Sequence, residues 1–243
     1  MKPNAITSPY WLLNRPIAHR GLHGSGAPEN SLAAFDRAVA GGYPVELDVR
    51  LLADGNVAVF HDKDAGRLTG VEGPIEAFTA ETLKHLRLLS GPDQIPLLPD
   101  VLDLIAGRVG ILIELKNEST FAGPLETAVL QALEGYGGDY AVQSFNHTTV
   151  AFFADRSPDI LRGQLASAST EALMPDDLRS LLRRNFTSHA DFAAYNLDSI
   201  PSKTTERLRD MNVPVIAWTI KTPDEQVRAQ TVADNYIFEG LLP

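Results

Sequence analysis

Eight short apolar runs recur along this 243-residue chain, and segments with helical spacing separate most of them. Such alternation is typical of β/α units, which build parallel sheets. The predicted strands are Ile17–His19, Val45–Arg50 with Val57–Phe60 beside it, Ile111–Lys116, Tyr140–Ser144, Leu161–Ala166, Phe192–Asn196, Pro214–Thr219 and Tyr236–Phe238. Because eight such units close into a barrel of about 250 residues, the predicted fold class is α/β, a (β/α)8 TIM barrel. A single domain is expected over residues 1–243.

Helices are predicted between these strands, several of them with a capping residue. Asn30, Asn146 and Thr222 each precede a helical segment and are candidate N-caps. The predicted helices are Ser31–Ala40, Pro99–Ala106, Pro124–Leu133, Thr148–Asp155, Glu171–Arg184, Lys203–Asp210 and Pro223–Gln230. The sequence stops soon after the eighth strand, so the barrel is expected to lack a full eighth helix. Residues 4–13, with Trp11 and Leu12 as their apolar face, are expected to cover that gap.

Carboxylates occur in the predicted second and third barrel strands. Glu46 and Asp48 are two residues apart, so a strand points both of them to the same face. Glu114 lies near the end of the third barrel strand, two residues before Lys116. A TIM barrel collects its active site at the carboxyl ends of its strands, so these residues are expected to converge.

An all-carboxylate set of Glu46, Asp48 and Glu114 predicts a metal site. Oxygen ligands suit Mg²⁺ or Ca²⁺, whereas zinc prefers histidine and cysteine. An ion pair between Glu114 and Lys116 is the alternative interpretation, and it is compatible with metal binding. The chain contains no cysteine, which excludes disulfides and thiol chemistry.

Two histidines, His19 and His61, lie at the ends of predicted strands close to these carboxylates. Imidazole titrates near neutral pH and therefore acts either as a general acid or as a general base. Each histidine taken alone is also compatible with a hydrogen-bonded core residue. Their common position beside the acidic residues favours catalysis, with His19 and His61 as the acid–base pair.

An ordered series of motifs runs through most of the chain. The first half contains His-Arg-Gly from His19, Pro-Glu-Asn-Ser from Pro28, Glu-x-Asp-Val from Glu46, Asp-Gly from Asp54 and Phe-His-Asp from Phe60. The second half contains LIELK from Leu112, QSFN from Gln143 and AWTIKTPDE from Ala217. In their order and spacing these motifs resemble the glycerophosphodiester phosphodiesterase family.

The resemblance implies a reaction and a role for each residue. The reaction is metal-dependent hydrolysis of a glycerophosphodiester to sn-glycerol 3-phosphate and an alcohol. It implies Glu46, Asp48 and Glu114 as metal ligands, His19 as base and His61 as acid. Two cations and one aromatic residue are implied in substrate binding: Arg20, Lys116 and Trp218, the last with barrel packing as its alternative.

Two departures from the family pattern leave the substrate preference open. Lys221 stands where the family often has Asn, and the closing IFEGLLP replaces a more usual Ile-Thr-Asp-x-Pro. The alternatives are a barrel of the same lineage that acts on lysophospholipids or other phosphodiesters, in a phospholipase D-like reaction, and a non-catalytic barrel that binds phosphodiesters.

Charge and hydropathy narrow the expected partners and location. The formal net charge of −10 argues against nucleic acid and against stable association with an anionic membrane, and leaves a small-molecule phosphodiester as the expected partner. The first residues lack the apolar core of a signal peptide, and no apolar run is long enough to span a membrane. A cytoplasmic location is expected.

Overall fold

The computed structural model describes residues 10–169 and 189–243. Its sheet closes into a barrel of eight parallel strands, because the first strand pairs with both the second and the last. The strands are β1 Ile17–Ala18, β2 Val45–Leu51, β3 Val57–Val59, β4 Ile111–Leu115, β5 Tyr140–Ser144, β6 Leu161–Ala166, β7 Phe192–Asn196, β8 Val215–Ile220 and β9 Asn235–Phe238. The one additional strand of this sheet, β3, is antiparallel to β2 and lies outside the ring of eight. The predicted barrel is confirmed, including β3 beside β2.

Helices follow most of the barrel strands. They are α1 Tyr10–Asn14, α2 Leu32–Ala40, α3 Gly66–Thr69, α4 Ala80–Leu83, α5 Leu98–Ile105, α6 Pro124–Leu133, α7 His147–Arg156, α8 Lys203–Asp210 and α9 Pro223–Val232. The helix predicted at Glu171–Arg184 lies outside the described residues. Residues 239–243 after β9 are not helical, as expected. No helix among the described residues is long and apolar enough to cross a membrane.

The N-cap prediction at Asn30 is wrong, whereas those at Asn146 and Thr222 are confirmed. The Ser31 hydroxyl caps α2 by accepting a hydrogen bond from the backbone N–H of Ala34 at 3.2 Å. Asn30 is buried and donates its side-chain amide to Asp48 instead. The side-chain oxygen of Asn30, the atom that would cap a helix, instead accepts from the backbone N–H of Asp48 at 3.3 Å.

Successive side chains of β2 point alternately to the hydrophobic core and to the barrel interior. Val45, Leu47 and Val49 point outward and pack in the main core, which lies between the barrel and its helices. Glu46 and Asp48 alternate with them and therefore face the barrel interior. The strand is buried on both faces, so its carboxylates are held in a rigid and nearly dry position.

The first helix closes the N-terminal end of the barrel. Leu12 packs among inward-facing residues of the strands, including Ile17, Leu112 and Phe192. The side chain of Asn235 fixes this segment by donating to the carbonyls of Leu12 and Arg15. The expectation that Trp11 and Leu12 cover the gap left by the eighth helix is therefore wrong for the described part of the segment, because Leu12 packs in the apolar floor of the barrel. Residues 4–9 lie outside the described residues.

The segment after β3 forms a small core of its own. Leu68, Ile75 and Leu83 are buried there against residues of the β2–β3 hairpin such as Phe60. Ile75 is fully buried and is thus an internal packing residue of this segment. This satellite core anchors α3 near the carboxyl end of β3, where Arg67 contacts Asp62.

Candidate active site

The three predicted carboxylates meet inside the carboxyl end of the barrel. Strand register places Asp48 of β2 directly opposite Glu114 of β4. Glu46, Asp48 and Glu114 are 1%, 0% and 7% exposed, and one oxygen of each lies within 4.8 Å of the others. The predicted cluster is therefore present, with the spacing of a cation site.

Two cations neutralise part of this charge. The Lys116 ammonium lies 2.9 Å from Asp48 Oδ1 and 2.5 Å from Glu114 Oε1. The Arg20 guanidinium Nε lies 3.1 Å from Asp48 Oδ2, while the Arg20 backbone N–H donates to Glu46 at 3.1 Å. The ion pair of Glu114 with Lys116 is thus real, and it forms within the carboxylate cluster.

Burial and neighbouring charges move the pKa values of the carboxylates apart. Burial raises the pKa of Glu46 well above its ordinary value, and the charges of Asp48 and Glu114 add to the effect. Burial also raises the pKa of Glu114, to about 7, against the opposing charge of Lys116. At Asp48 burial is outweighed by Lys116 and Arg20, which hold the pKa well below its usual range. Three carboxylates in so small a volume repel one another unless a cation is bound.

The donor set fits a hard divalent cation. Asp48 Oδ1 is buried and accepts no hydrogen bond from the described residues, although the Lys116 ammonium pairs with its charge. A second possible ligand group, formed by His19, His23 and Glu239, lies beside the carboxylates. It includes two imidazoles, so it suits softer ions than Mg²⁺ or Ca²⁺.

The loop after β1 delivers His19 and Arg20 to the cluster. Gly21 has a φ of +78°, and a Cβ at this position would lie 2.7 Å from the backbone of Ala34 in α2. Glycine therefore lets this loop pack directly on the helix. His19 Nε2 lies 3.9 Å from Glu46 Oε2, at the edge of the carboxylate cluster.

Glu239, which the sequence did not single out, holds the other nitrogen of His19. Glu239 directly follows β9, and its Oε2 lies 2.7 Å from His19 Nδ1. The hydrogen bond with His19 lowers the pKa of Glu239 to about 2, so this carboxylate is ionised and can only accept. In a neutral imidazole, this contact places the proton on His19 Nδ1 and leaves the lone pair on Nε2. Lys221 lies 3.3 Å from the other Glu239 oxygen, so the two departures from the family pattern contact each other.

His61 has a carboxylate partner of its own. Its Nδ1 lies 2.8 Å from Asp62 Oδ1, and Arg50 Nε donates to its backbone carbonyl at 2.9 Å. Burial lowers the pKa of His61, and the charge of Asp48 opposes that effect. Partial burial works to raise the pKa of Asp62, but hydrogen bonds from Arg67 and His61 hold it at about 2.

A cavity of about 120 Å³ joins these groups. Seven of the eight predicted site residues line this one space, and the eighth, Asp48, contacts two of them without lining it. The seven are His19, Arg20, Glu46, His61, Glu114, Lys116 and Trp218. The Trp218 ring packs edge-on against Phe145, with 5.7 Å between the ring centroids.

Gln143 is a further polar group of this cavity that sequence reasoning did not select. It lies on β5 opposite Glu114 in register and is 1% exposed. Neither its amide nitrogen nor its amide oxygen has a hydrogen-bond partner among the described residues, and the indole nitrogen of Trp218 has none either. Buried polar groups without partners are rare, and here they line a space that admits a polar ligand.

Comparisons with known proteins agree with this geometry. The sequence model described as the glycerophosphoryl diester phosphodiesterase family matches residues 19–236. A glycerophosphodiester phosphodiesterase of Bacillus altitudinis is 33% identical over 177 residues, covering 68% of this chain and 71% of the relative. A glycerophosphodiester phosphodiesterase of Caldanaerobacter subterraneus is 34% identical over 160 residues, covering 61% and 65%.

Solved structures share the fold. An Oleispira antarctica phosphodiesterase in complex with the product sn-glycerol-3-phosphate superposes with a TM-score of 0.81. It is 25% identical, and the match covers 95% of this chain and 94% of that one. A Thermotoga maritima glycerophosphodiester phosphodiesterase superposes with a TM-score of 0.75 at 23% identity, covering 92% and 94%. This chain belongs to the glycerophosphoryl diester phosphodiesterase family.

Proposed function

We propose that this chain hydrolyses glycerophosphodiesters to sn-glycerol 3-phosphate and an alcohol. One observation carries the proposal: a cluster of three buried carboxylates and two histidines with carboxylate partners meet at a single cavity at the barrel mouth, which Glu46 and Glu114 line directly. Family membership supports the reaction class, and the Oleispira antarctica relative holds the corresponding product.

Glu46, Asp48 and Glu114 are the proposed ligands of one divalent cation, Mg²⁺ or Ca²⁺. Their hard oxygens match these ions, and their mutual repulsion makes a cation favourable at this position. When bound, such an ion supplies Lewis acidity to the phosphoryl group and lowers the pKa of a coordinated hydroxyl. The group containing His19 and His23 is a less suitable choice, because metal ligation there would occupy the proposed base.

His19 is the proposed base. Glu239 fixes the Nδ1 proton, so the Nε2 lone pair faces the cavity and can take a proton from the nucleophile. The proposed nucleophile is the glycerol hydroxyl next to the phosphoester. Its oxygen bonds to phosphorus as the bond to the departing alcohol breaks, and water then opens the resulting cyclic glycerol phosphate to sn-glycerol 3-phosphate. Intramolecular attack is favoured because the reacting groups are already tethered, with effective molarities of about 10⁵–10⁸ M.

His61 is the proposed acid, which donates its Nε2 proton to the departing alkoxide while Asp62 holds Nδ1. Arg20 and Lys116 are proposed to offset the negative charge on the non-bridging phosphoryl oxygens. Trp218 is proposed as a wall of the glycerol site, because its ring lines the cavity.

Product analysis on a substrate panel tests the proposal. The panel contains glycerophosphocholine, glycerophosphoethanolamine, lysophosphatidylcholine and a glycerophosphocholine analogue in which hydrogen replaces the attacking hydroxyl. We expect sn-glycerol 3-phosphate from the first two, a transient cyclic glycerol phosphate, and a loss of several orders of magnitude with the deoxy analogue.

Other outcomes would select the rivals. Preferential release of choline from lysophosphatidylcholine would favour the phospholipase D-like alternative. Comparable cleavage of the deoxy analogue would indicate direct attack by water. Binding of every ester without turnover would identify a non-catalytic barrel. The cytoplasmic location and the absence of nucleic-acid and membrane partners stay predictions.

A further inference from the structure

A continuous series of charged contacts connects the carboxylate cluster with His61. It begins at Asp48, whose Oδ2 lies 3.1 Å from Arg20 Nε. Arg20 Nη1 in turn donates to Glu29 Oε1 at 2.7 Å. The series is completed by Arg67, which contacts Glu29 on one side and Asp62, the partner of His61, on the other. Negative and positive side chains alternate along the series, so each charged group has a neighbour of opposite charge.

Arg67 links two carboxylates of this series through hydrogen bonds with defined geometry. Its Nε and Nη2 donate to the two oxygens of Asp62 at 2.5 and 3.0 Å. Its Nη1 and Nη2 donate to the two oxygens of Glu29 at 3.0 and 2.7 Å. The planar guanidinium therefore binds two carboxylates in a forked geometry, which only arginine provides.

The guanidinium is delivered by an element separate from the one that carries His61. Arg67 lies on α3, and its neighbour Leu68 is 4% exposed in the satellite core. Glu29 comes from the loop before α2, on the opposite side of the guanidinium. Arg67 is thus held from both sides, although its side chain is 49% exposed.

We propose that Arg67 is a positioning residue for His61, acting through Asp62. With both Asp62 oxygens held by Arg67, the carboxylate cannot rotate away, and Oδ1 stays 2.8 Å from His61 Nδ1. Because an ionised carboxylate only accepts, it fixes the proton on Nδ1 and directs Nε2 into the cavity. Arg67 itself is not part of the cavity lining. The inference rests on the proposed role of His61 as the acid.

Two esters that differ in leaving group separate this role from a merely structural one. Glycerophosphocholine releases a poor leaving group that needs a proton, whereas the p-nitrophenyl ester of sn-glycerol 3-phosphate releases one that needs none. A general acid contributes roughly 10²–10⁴-fold to rate. We therefore expect Arg67→Gln to lower kcat on glycerophosphocholine about 10- to 100-fold, and to change kcat on the p-nitrophenyl ester less than about 3-fold.

The charge-conserving Arg67→Lys should show the same split, because lysine lacks the fork. In the His61→Ala background, Arg67→Gln should cause no further loss on either ester, since the acid is already absent. Arg87→Gln is the matched control, because this exposed guanidinium donates to the carbonyl of Lys84 away from the cavity. It should leave both rates unchanged.

Equal losses of Arg67→Gln on the two esters, or losses that add to those of His61→Ala, would overturn the inference. If Arg67→Gln does not fold, Arg67→Lys and Asp62→Asn carry the same test, with the same split expected. A wild-type protein that cleaves neither ester would contradict the proposed function itself. If the wild type cleaves both esters and the variants keep the wild-type ratio between the two kcat values, the inference alone is contradicted.

Discussion

At the scale of single residues, the acidic cluster makes the metal-free protein sensitive to pH. Burial raises the pKa of Glu114 to about 7, above that of an exposed glutamate. The folded state therefore binds more protons than the unfolded state between about pH 4.5 and 7, and the stabilisation is lost as pH rises through that interval. A bound cation replaces these protons, so its stabilising effect should grow with pH.

Denaturant unfolding of the metal-free protein at pH 5, 6, 7 and 8 measures this effect. We expect the free energy of unfolding of the wild type to decrease relative to that of Glu114→Gln as pH rises. The difference should be at most about 3 kcal/mol, because one pKa unit corresponds to about 1.4 kcal/mol. Parallel pH profiles for the wild type and Glu114→Gln would contradict the raised pKa of Glu114.

Glu239 gives a second prediction at this scale. Glu239→Gln removes the charge that fixes the His19 Nδ1 proton. Because the base acts in the attack step, we expect kcat to fall about 10- to 100-fold on both esters, regardless of leaving group. Lys221→Met is the control: it preserves the His19 contact and removes an exposed ion pair, so the loss should stay below about 3-fold. A loss confined to glycerophosphocholine would show that Glu239 does not act through the base.

The sequence predicted which residues gather at the site better than it predicted their partners. Glu46, Asp48 and Glu114 belong to apolar strands. The period of two along a strand predicted which face of the barrel they occupy, and their position in the strand predicted which end. Glu239 and Arg67 act through contacts between elements far apart in sequence, which spacing does not encode. An acidic residue directly after the last strand was the available signal for Glu239.

At the scale of elements, strands and long helices were predictable because their apolar periodicity is strong. Short elements were harder, because packing decides them. The satellite core that holds α3 and α4 brings together residues spread from Leu52 to Ile95. The position of α1 depends on the apolar floor of the barrel, a surface that exists only after the strands have closed.

Truncation of Leu12 tests that assignment of α1. Leu12 is 1% exposed among strand residues, so Leu12→Ala leaves a cavity in a rigid barrel. We expect a loss of about 2–5 kcal/mol in the free energy of unfolding, measured by denaturant titration. Leu13→Ala, at a neighbouring half-buried position, should cost clearly less. Equal small losses for both variants would show that Leu12 does not close the barrel.

At the scale of the whole molecule, we propose that residues 1–243 form one domain. Trp11 lies at the floor of the barrel and Trp218 at its mouth, and the chain has no other tryptophan. Trp218→Phe and Trp11→Phe variants therefore report separately on the two ends. We expect the remaining tryptophan of each to follow the same transition as far-UV circular dichroism of that variant, as a cooperative unit requires. Different unfolding midpoints by fluorescence and by circular dichroism would show that parts of the barrel unfold independently.

Metal removal and reconstitution tests the central claim most directly, namely that the buried carboxylates hold a cation used in phosphodiester hydrolysis. The rate of sn-glycerol 3-phosphate release from glycerophosphocholine is measured after exhaustive chelation and after addition of Mg²⁺ or Ca²⁺. We expect chelation to abolish activity, either ion to restore it in the wild type, and Glu114→Gln to stay inactive while folded. An unchanged rate in the chelated wild type would contradict the account.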